Sequence, residues 1–305
     1  MFLETEFVLS RITFDVETLH QLIAFDIDHY RSVHADLRRH SDAALREHYA
    51  LHGYAEGRFS HVEAVRENFV QSLAGYKTLE IGPFVSPALT HPGVKYLDVL
   101  NTEQLRQRAA AHGLSAKNLP AIDFVSADGR LDVVDDSLEL VISTHNLEHQ
   151  PDLIHHLNQV SSKLVGGGCF AMLVPNARYC FDADLPLTKI SDIFNAHLDR
   201  RARHTLGSVI EHRALTTHND PALHWKDSQT APTYQRLDPS RIHAAIKEYE
   251  GADGAYIDVH GWQFEPHTLS DILRTLIQLR VIDFSEVRCW GPIYGRNEFA
   301  VKLFK

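Results

Sequence analysis

The segment Lys77-Thr78-Leu79-Glu80-Ile81-Gly82-Pro83-Phe84 runs from residues suited to a buried strand straight into glycine and proline. A short Leu/Ile run that stops this abruptly reads as a strand ending in a tight loop. Four further runs rich in Val, Ile and Leu follow it, at 94–100, 122–127, 138–144 and 169–175. They are apolar on both faces, as strands of a parallel sheet covered on both sides must be. Between them, 101–112 closes on Gly113, and 151–164 opens on Pro151 with Gly166 beyond it; both carry the punctuation of helices. The repeated strand-helix-strand order predicts an α/β fold with a doubly wound, mostly parallel sheet.

Outward from this centre the pattern changes on both sides. Residues 1–70 read as a helical N-terminal module, with Leu19, Leu22, Ile23 and Ile27 at helical spacing and Gly53 and Gly57 ending the pattern. The second domain would then be 71–305. Within it, 176–265 is a polar, His-rich stretch punctuated by proline and far longer than an ordinary connection, so it reads as an insert over the sheet's working edge. The rhythm resumes with a helix at 267–279, a strand at 281–290, a turn over 291–295 and a strand at 297–304. The last two strands are expected to pair antiparallel.

With 40 acidic against 30 basic residues and a formal charge of −10, the chain has no overall positive field to gather nucleic acid or anionic lipid. Three cysteines, Cys169, Cys180 and Cys289, are too few and too scattered for a disulfide framework, which fits a reducing compartment. The start, Met1 to Ser10, lacks the basic flank and apolar run of a secretory signal, and no stretch of about 18 apolar residues occurs. A cytoplasmic location without a transmembrane segment is the expectation.

In a doubly wound sheet, ligands sit beyond the carboxyl ends of the strands, and Gly82 lets the backbone approach one closely. The dinucleotide fingerprint needs three glycines, whereas Gly82 is followed here by Pro83, Phe84, Ser86 and Pro87. Asp98, 18 residues after Glu80, stands at the end of the second strand, where a carboxylate accepts from ribose hydroxyls.

With these residues in place, the sequence resembles the class I S-adenosylmethionine-dependent methyltransferases over 76–175 and 267–304. The resemblance implies a Rossmann-like seven-stranded sheet with an antiparallel last strand, and S-adenosylmethionine as cofactor. It makes Glu80, Gly82 and Pro83 the first motif, Asp98 the ribose acid and Ala127-Asp128-Gly129 the adenine-contacting segment. Ser143-Thr144-His145-Asn146-Leu147-Glu148-His149 is similar to the family's signature after the fourth strand, with His145 lining the cofactor site and facing the methyl-transfer centre. Phe84 and Ser86 depart from the glycines common in the first loop.

The Glu-Ile-Gly-Pro-Phe variant looks like a bacterial subgroup associated with polysaccharide assembly. Residues Phe25-Asp26, Tyr30, His48-Tyr49 and Gly53 to Arg58 are similar to a short helical module at the ends of bacterial glycosyltransferases, and Asp258 to Glu265-Pro266 adds to the likeness. The resemblance implies methylation of a saccharide hydroxyl, with glycosyltransferases or other assembly proteins as partners of the N-terminal module. Two other readings stand beside it: methylation of a small non-sugar metabolite or a protein side chain, and a non-catalytic scaffold whose cofactor loop is filled.

Twenty-one histidines are the compositional oddity, five of them from His197 to His224. Three explanations compete for them: metal ligation, general-base catalysis and solvation. The six-residue steps His212, His218, His224 match neither a helical pair nor zinc spacings, so no metal is expected. For a hydroxyl acceptor a neutral imidazole is a suitable base, with His218 and His260 as candidates alongside His145. His155, His156, His197 and His243 are expected to be solvated, and His149 to pack beneath the ligand loop as a satisfied polar residue. Arg200, Arg201 and Arg203 form either an anion contact or a solvated face. Trp225, Tyr234 and Trp262 form either a sugar platform or packed core.

Overall fold

The computed structural model describes residues 14–135, 137–227 and 236–305. Its centre is a seven-stranded sheet of order β3-β2-β1-β4-β5-β7-β6, in which β1 is Thr78–Ile81, β2 Val94–Asp98, β3 Phe124–Val125, β4 Leu138–Thr144, β5 Leu164–Pro175, β6 Glu286–Trp290 and β7 Glu298–Phe304. The first five strands pair parallel, and β7 runs antiparallel between β5 and β6. The chain thus has the Rossmann-like α/β fold with the expected antiparallel ending. Strand order reverses between β1 and β4, which creates a crevice at their carboxyl ends.

Register brings the loop of interest together. Ile81 is paired with Leu97 and Ser143, so Gly82, Asp98 and Thr144 leave the sheet at one edge. Because β7 runs the other way, its first residue, Glu298, lies opposite Pro175 at that same edge.

Among the described residues, α1 Val16–Leu22, α2 Ile27–Val33, α3 Asp42–His48 and α4 Arg66–Gln71 are the α-helices that precede the sheet. Next come α5 Thr102–Ala111 and α6 Leu153–Lys163. The insert holds α7 Ile190–Leu198, α8 Leu206–Ile210, α9 Pro221–Asp227 and α10 Pro239–Gly251, and α11 Pro266–Gln278 leads into β6. Side chains of Asn101 and Gln104 form a reciprocal cap at the start of α5, and Asp152 caps α6. On one face of the sheet, Leu153, Leu157 and Val160 of α6 and Leu269, Leu273 and Leu276 of α11 pack with Val141, Phe170 and Met172. On the other, Phe69 and Trp290 cover Ile142, Ala171 and Leu173. Each fully buried Val, Leu, Ile, Phe or Met among them contributes roughly 1.5–3 kcal/mol.

The helical N-terminus shares the main core. Leu19, Ile23, Tyr30 and Tyr49 join its cluster, the Ala24 amide donates to Cys289 O, and Ser270 Oγ donates to Leu22 O. The strand expected over 281–290 begins only at Glu286, because α6 takes up the preceding backbone: Asn158 Nδ2 donates to Val281 O and Ser161 Oγ to Asp283 O. At the sheet's edge, β3 is only two residues long.

Candidate functional site

The crevice is built from the loop after β1. Gly82 has φ 67°, and a Cβ there would lie 3.3 Å from Asn146 Nδ2, so a side chain would occupy the space between β1 and β4. Glu80 is fully buried, and its carboxylate accepts from the amides of Ala88 (2.7 Å) and Leu89 (3.1 Å). Its part is to shape the loop from beneath. Burial pushes it up to about 7, against the pull of those two amides. Pro83 is buried, and Phe84 takes φ 43°, uncommon for a side-chain-bearing residue.

Asp98 faces this loop from the end of β2. It is buried, its Oδ1 accepts from the Leu100 amide at 3.1 Å, and the amides of Val99 and Phe84 also face its carboxylate. Burial raises its pKa despite them. The turn Asp128-Gly129 stands beside it, a Cβ on Gly129 being 4.0 Å from Val99 Cγ1. Asp128 is exposed and tied into its own turn by Ser126 Oγ at 3.0 Å. A backbone cradle that a Cβ would fill, a buried strand-end carboxylate and an adjacent glycine turn fit an adenosine-type cofactor: Asp98 for ribose hydroxyls, 127–129 for the base, Gly82 and Pro83 for the remainder.

His145 follows β4 at φ 50°, so positive-φ residues flank the crevice on both sides. Its Nε2 lies 2.8 Å from Glu298 Oε2, which also pairs with Arg66 at 2.7 Å. Burial alone would raise the Glu298 pKa, but the hydrogen bond from His145 and the charge of Arg66 outweigh it and hold it low. Glu298 escaped the sequence reading because it is 153 residues from His145, and only antiparallel β7 returns it to the carboxyl edge.

Beyond His145 the chain turns through Asn146 to His149, and the segment from 258 to 265 folds back upon it. Gly261 donates its amide to Glu148 O at 2.8 Å, and a Cβ there would lie 2.6 Å from His204 Nδ1, so any side chain would have to displace the His204 ring. Trp262 Nε1 donates to Gln150 O, and Glu265 with Thr268 caps α11. Asp258 sits 2.9 Å from His149 Nδ1 and 2.7 Å from an Arg108 nitrogen, and Arg108 lies over the Phe84 ring. A continuous line of contacts therefore joins the first loop to the insert.

His260 is buried, with Nδ1 2.6 Å from Asp182 Oδ2 and Nε2 3.7 Å from Glu148 Oε1. His218 lies farther out. It is exposed, stacks on His224 with ring centres 4.0 Å apart, and accepts at Nδ1 from the Asp220 amide. His149 is held between Asp258 and Glu148. Burial opposes its protonation, but the two carboxylates outweigh burial and raise its pKa.

Several expectations need correction. His156 is buried rather than solvated, and burial lowers its pKa to about 4. His197 bonds Asp152 at 3.0 Å, while His155 and His243 are exposed as expected. Trp225 and Trp262 are packed core and not a platform: Trp225 stacks on Tyr179 at 3.7 Å and donates Nε1 to Arg296 O. Tyr234 lies outside the described residues. Arg200, Arg201 and Arg203 line a shallow pocket with Tyr249, where Arg201 pairs with Asp199 and Arg203 lies over the Tyr249 ring.

No protein-family model matches the chain. No curated protein matches it either. Among solved structures it is similar to the CcbJ methyltransferase of Streptomyces caelestis, at 24% identity over 37% of this chain and 52% of that one, with TM-score 0.28. It is also similar to S-adenosylmethionine-dependent methyltransferases from Mesorhizobium loti (14% identity, 80% and 100% covered, TM-score 0.39) and Aquifex aeolicus (9%, 79% and 89%, 0.37). The chain spans about half the length of CcbJ. These likenesses are remote, and the fold stands on the strand order and pairing described above. Among the described residues no helix is long and apolar enough to cross a membrane.

Proposed function

We propose that this protein is an S-adenosylmethionine-dependent methyltransferase of the class I fold that methylates a hydroxyl group, with a saccharide as the favoured acceptor. The observation carrying the cofactor reading is the crevice between β1 and β4, where Gly82 at φ 67° keeps the space beside Asn146 open and Asp98 is buried within reach of the same loop. Bound there, S-adenosylmethionine supplies a methyl group already activated by the sulfonium. The chain's own tasks are alignment, exclusion of water and removal of the acceptor's proton.

For the last task the geometry favours His145 among the three candidate bases. Its Nε2–H is held by Glu298, which orients the ring and leaves Nδ1 to take the hydroxyl proton. His260 is enclosed between Asp182 and Glu148, and His218 stacks on His224 at the surface. The saccharide acceptor rests on the likeness of the Glu80 to Phe84 loop, of 25–58 and of 258–266 to the polysaccharide-associated subgroup. That likeness also supports the N-terminal module as a docking unit for glycosyltransferases and a cytoplasmic site of action.

Calorimetric titration with S-adenosylmethionine and its demethylated product, with NAD as control, tests the cofactor. Micromolar binding that is weakened about 10–100-fold in Asp98→Ala supports the reading, and no binding to folded protein overturns it in favour of the scaffold. Incubation of saccharide acceptors with labelled cofactor then tests the acceptor class.

A further inference from the structure

The insert and the turn after β4 bring together two imidazoles and a buried carboxylate. Glu148 is 1% exposed, and neither of its carboxylate oxygens has a hydrogen-bond partner among the described residues. An ionised carboxylate buried in this way is costly unless something neutralises it. His149 Nε2 and His260 Nε2 each lie 3.7 Å from Glu148 Oε1, and one ligand atom from each of the three residues falls within 4.8 Å of the others. His149 Nδ1 lies 2.9 Å from Asp258 Oδ1 as an ion-pair contact without hydrogen-bond geometry, and His260 Nδ1 hydrogen-bonds Asp182 Oδ2 at 2.6 Å. Metal-bound histidines are oriented in this way, by an outer carboxylate on one nitrogen that turns the other toward the ion.

We propose that Glu148, His149 and His260 bind a divalent first-row transition ion of the zinc type, with Asp182 as the outer carboxylate of His260. Two imidazoles with one carboxylate select this class over magnesium or calcium, which take oxygen ligands. Bonds of about 2.0–2.1 Å in a tetrahedral site set neighbouring ligand atoms about 3.4 Å apart. The two separations to Glu148 Oε1, 3.7 Å each, lie within a few tenths of an ångström of that value, and all three ligand atoms fall within 4.8 Å of one another. His212 forms a second close group with Asp182 and His260, but its Nδ1 already accepts the backbone amide of His260 at 3.0 Å. It therefore fixes the His260 backbone and stays outside the ligand set.

The site stands on these distances and does not rest on the methyltransferase reading, so its test uses no cofactor. The full chain is purified, its metal content is measured, and it is stripped with a chelator and titrated with Zn2+ and Co2+. One ion bound per chain, visible cobalt absorption and a melting temperature raised by Zn2+ are expected. Glu148→Gln, nearly isosteric, should abolish all three; as it removes a buried charge, it should melt no lower than the stripped wild type. Asp182→Asn should weaken binding by about 10–100-fold without abolishing it. Folded wild type that neither retains nor binds an ion, or a melting temperature indifferent to Zn2+, would overturn the proposal in favour of a buried ion-pair network. Glu148→Gln binding Zn2+ as tightly as the wild type would overturn it in favour of chelation by other histidines.

Discussion

The crevice at the end of β1 and the histidine cluster under the insert lie next to each other, yet they are specified differently. In the crevice, Gly82 and Asp98 stand at consecutive strand ends, and their relation follows from parallel pairing of β1 with β2. In the cluster, Glu148, Asp182 and His260 come from three segments spread over more than a hundred residues, and no local rule brings them together. Strand-end sites inherit their geometry from the sheet, whereas insert-built sites exist only once the insert has packed.

The sharpest way to break this contrast is to attack the dyad on the boundary. His145→Ala should lower methyl-transfer turnover by about 10²–10⁴-fold while leaving affinity for the demethylated cofactor within a few-fold, since the imidazole acts on the acceptor's proton. Glu298→Gln should reproduce part of that loss, and unchanged turnover in both variants would remove the base from this place. Next in size, Asp98→Ala should weaken cofactor binding by about 10–100-fold by calorimetry, the worth of hydrogen bonds to a charged group. If the regions are independent, the same variant leaves the Zn2+ titration untouched.

The third expected effect is a pH dependence of the helices packed beneath both regions. Burial holds His156 and His267 neutral in the fold, with pKa values lowered to about 4, while the unfolded chain protonates them near 6.5. Between those values the unfolded state binds more protons at these two histidines, so their contribution to stability falls as pH drops from about 6.5 to 4 and is fully present above that range. His156 should contribute on the order of 1–3 kcal/mol to this loss. Thermal melts of His156→Leu across pH 7 to 4 should show a shallower slope than the wild type, and parallel slopes would contradict the assignment. Smallest is the bridge between the regions: Arg108→Ala breaks a half-exposed pair with Asp258 and should cost about 0–1 kcal/mol by denaturant melts.

Much of the fold was legible because buried strands advertise themselves. The run at 138–144 forms β4 with the expected bounds, and the antiparallel end followed from the last two apolar runs. The expected strand at 281–290 was shortened because Asn158 and Ser161 of α6 compete for its backbone groups, which its apolar pattern does not reveal. The insert's tryptophans read equally well as platform or core from composition, and only the Tyr179 stack and Arg296 carbonyl at Trp225 and the Gln150 carbonyl at Trp262 decide for core.

The sequence by itself determined the sheet, the tight loop at Gly82 and the acid at Asp98, because apolar periodicity and strand-end chemistry are local properties of the chain. Tertiary structure alone decided that Glu80 braces the loop from below, that Glu298 orients His145, and that Glu148 and His260 converge. Each of these depends on a carboxylate meeting a partner brought in by packing from elsewhere in the chain. Neither the spacing of the histidines nor their number encodes such a meeting.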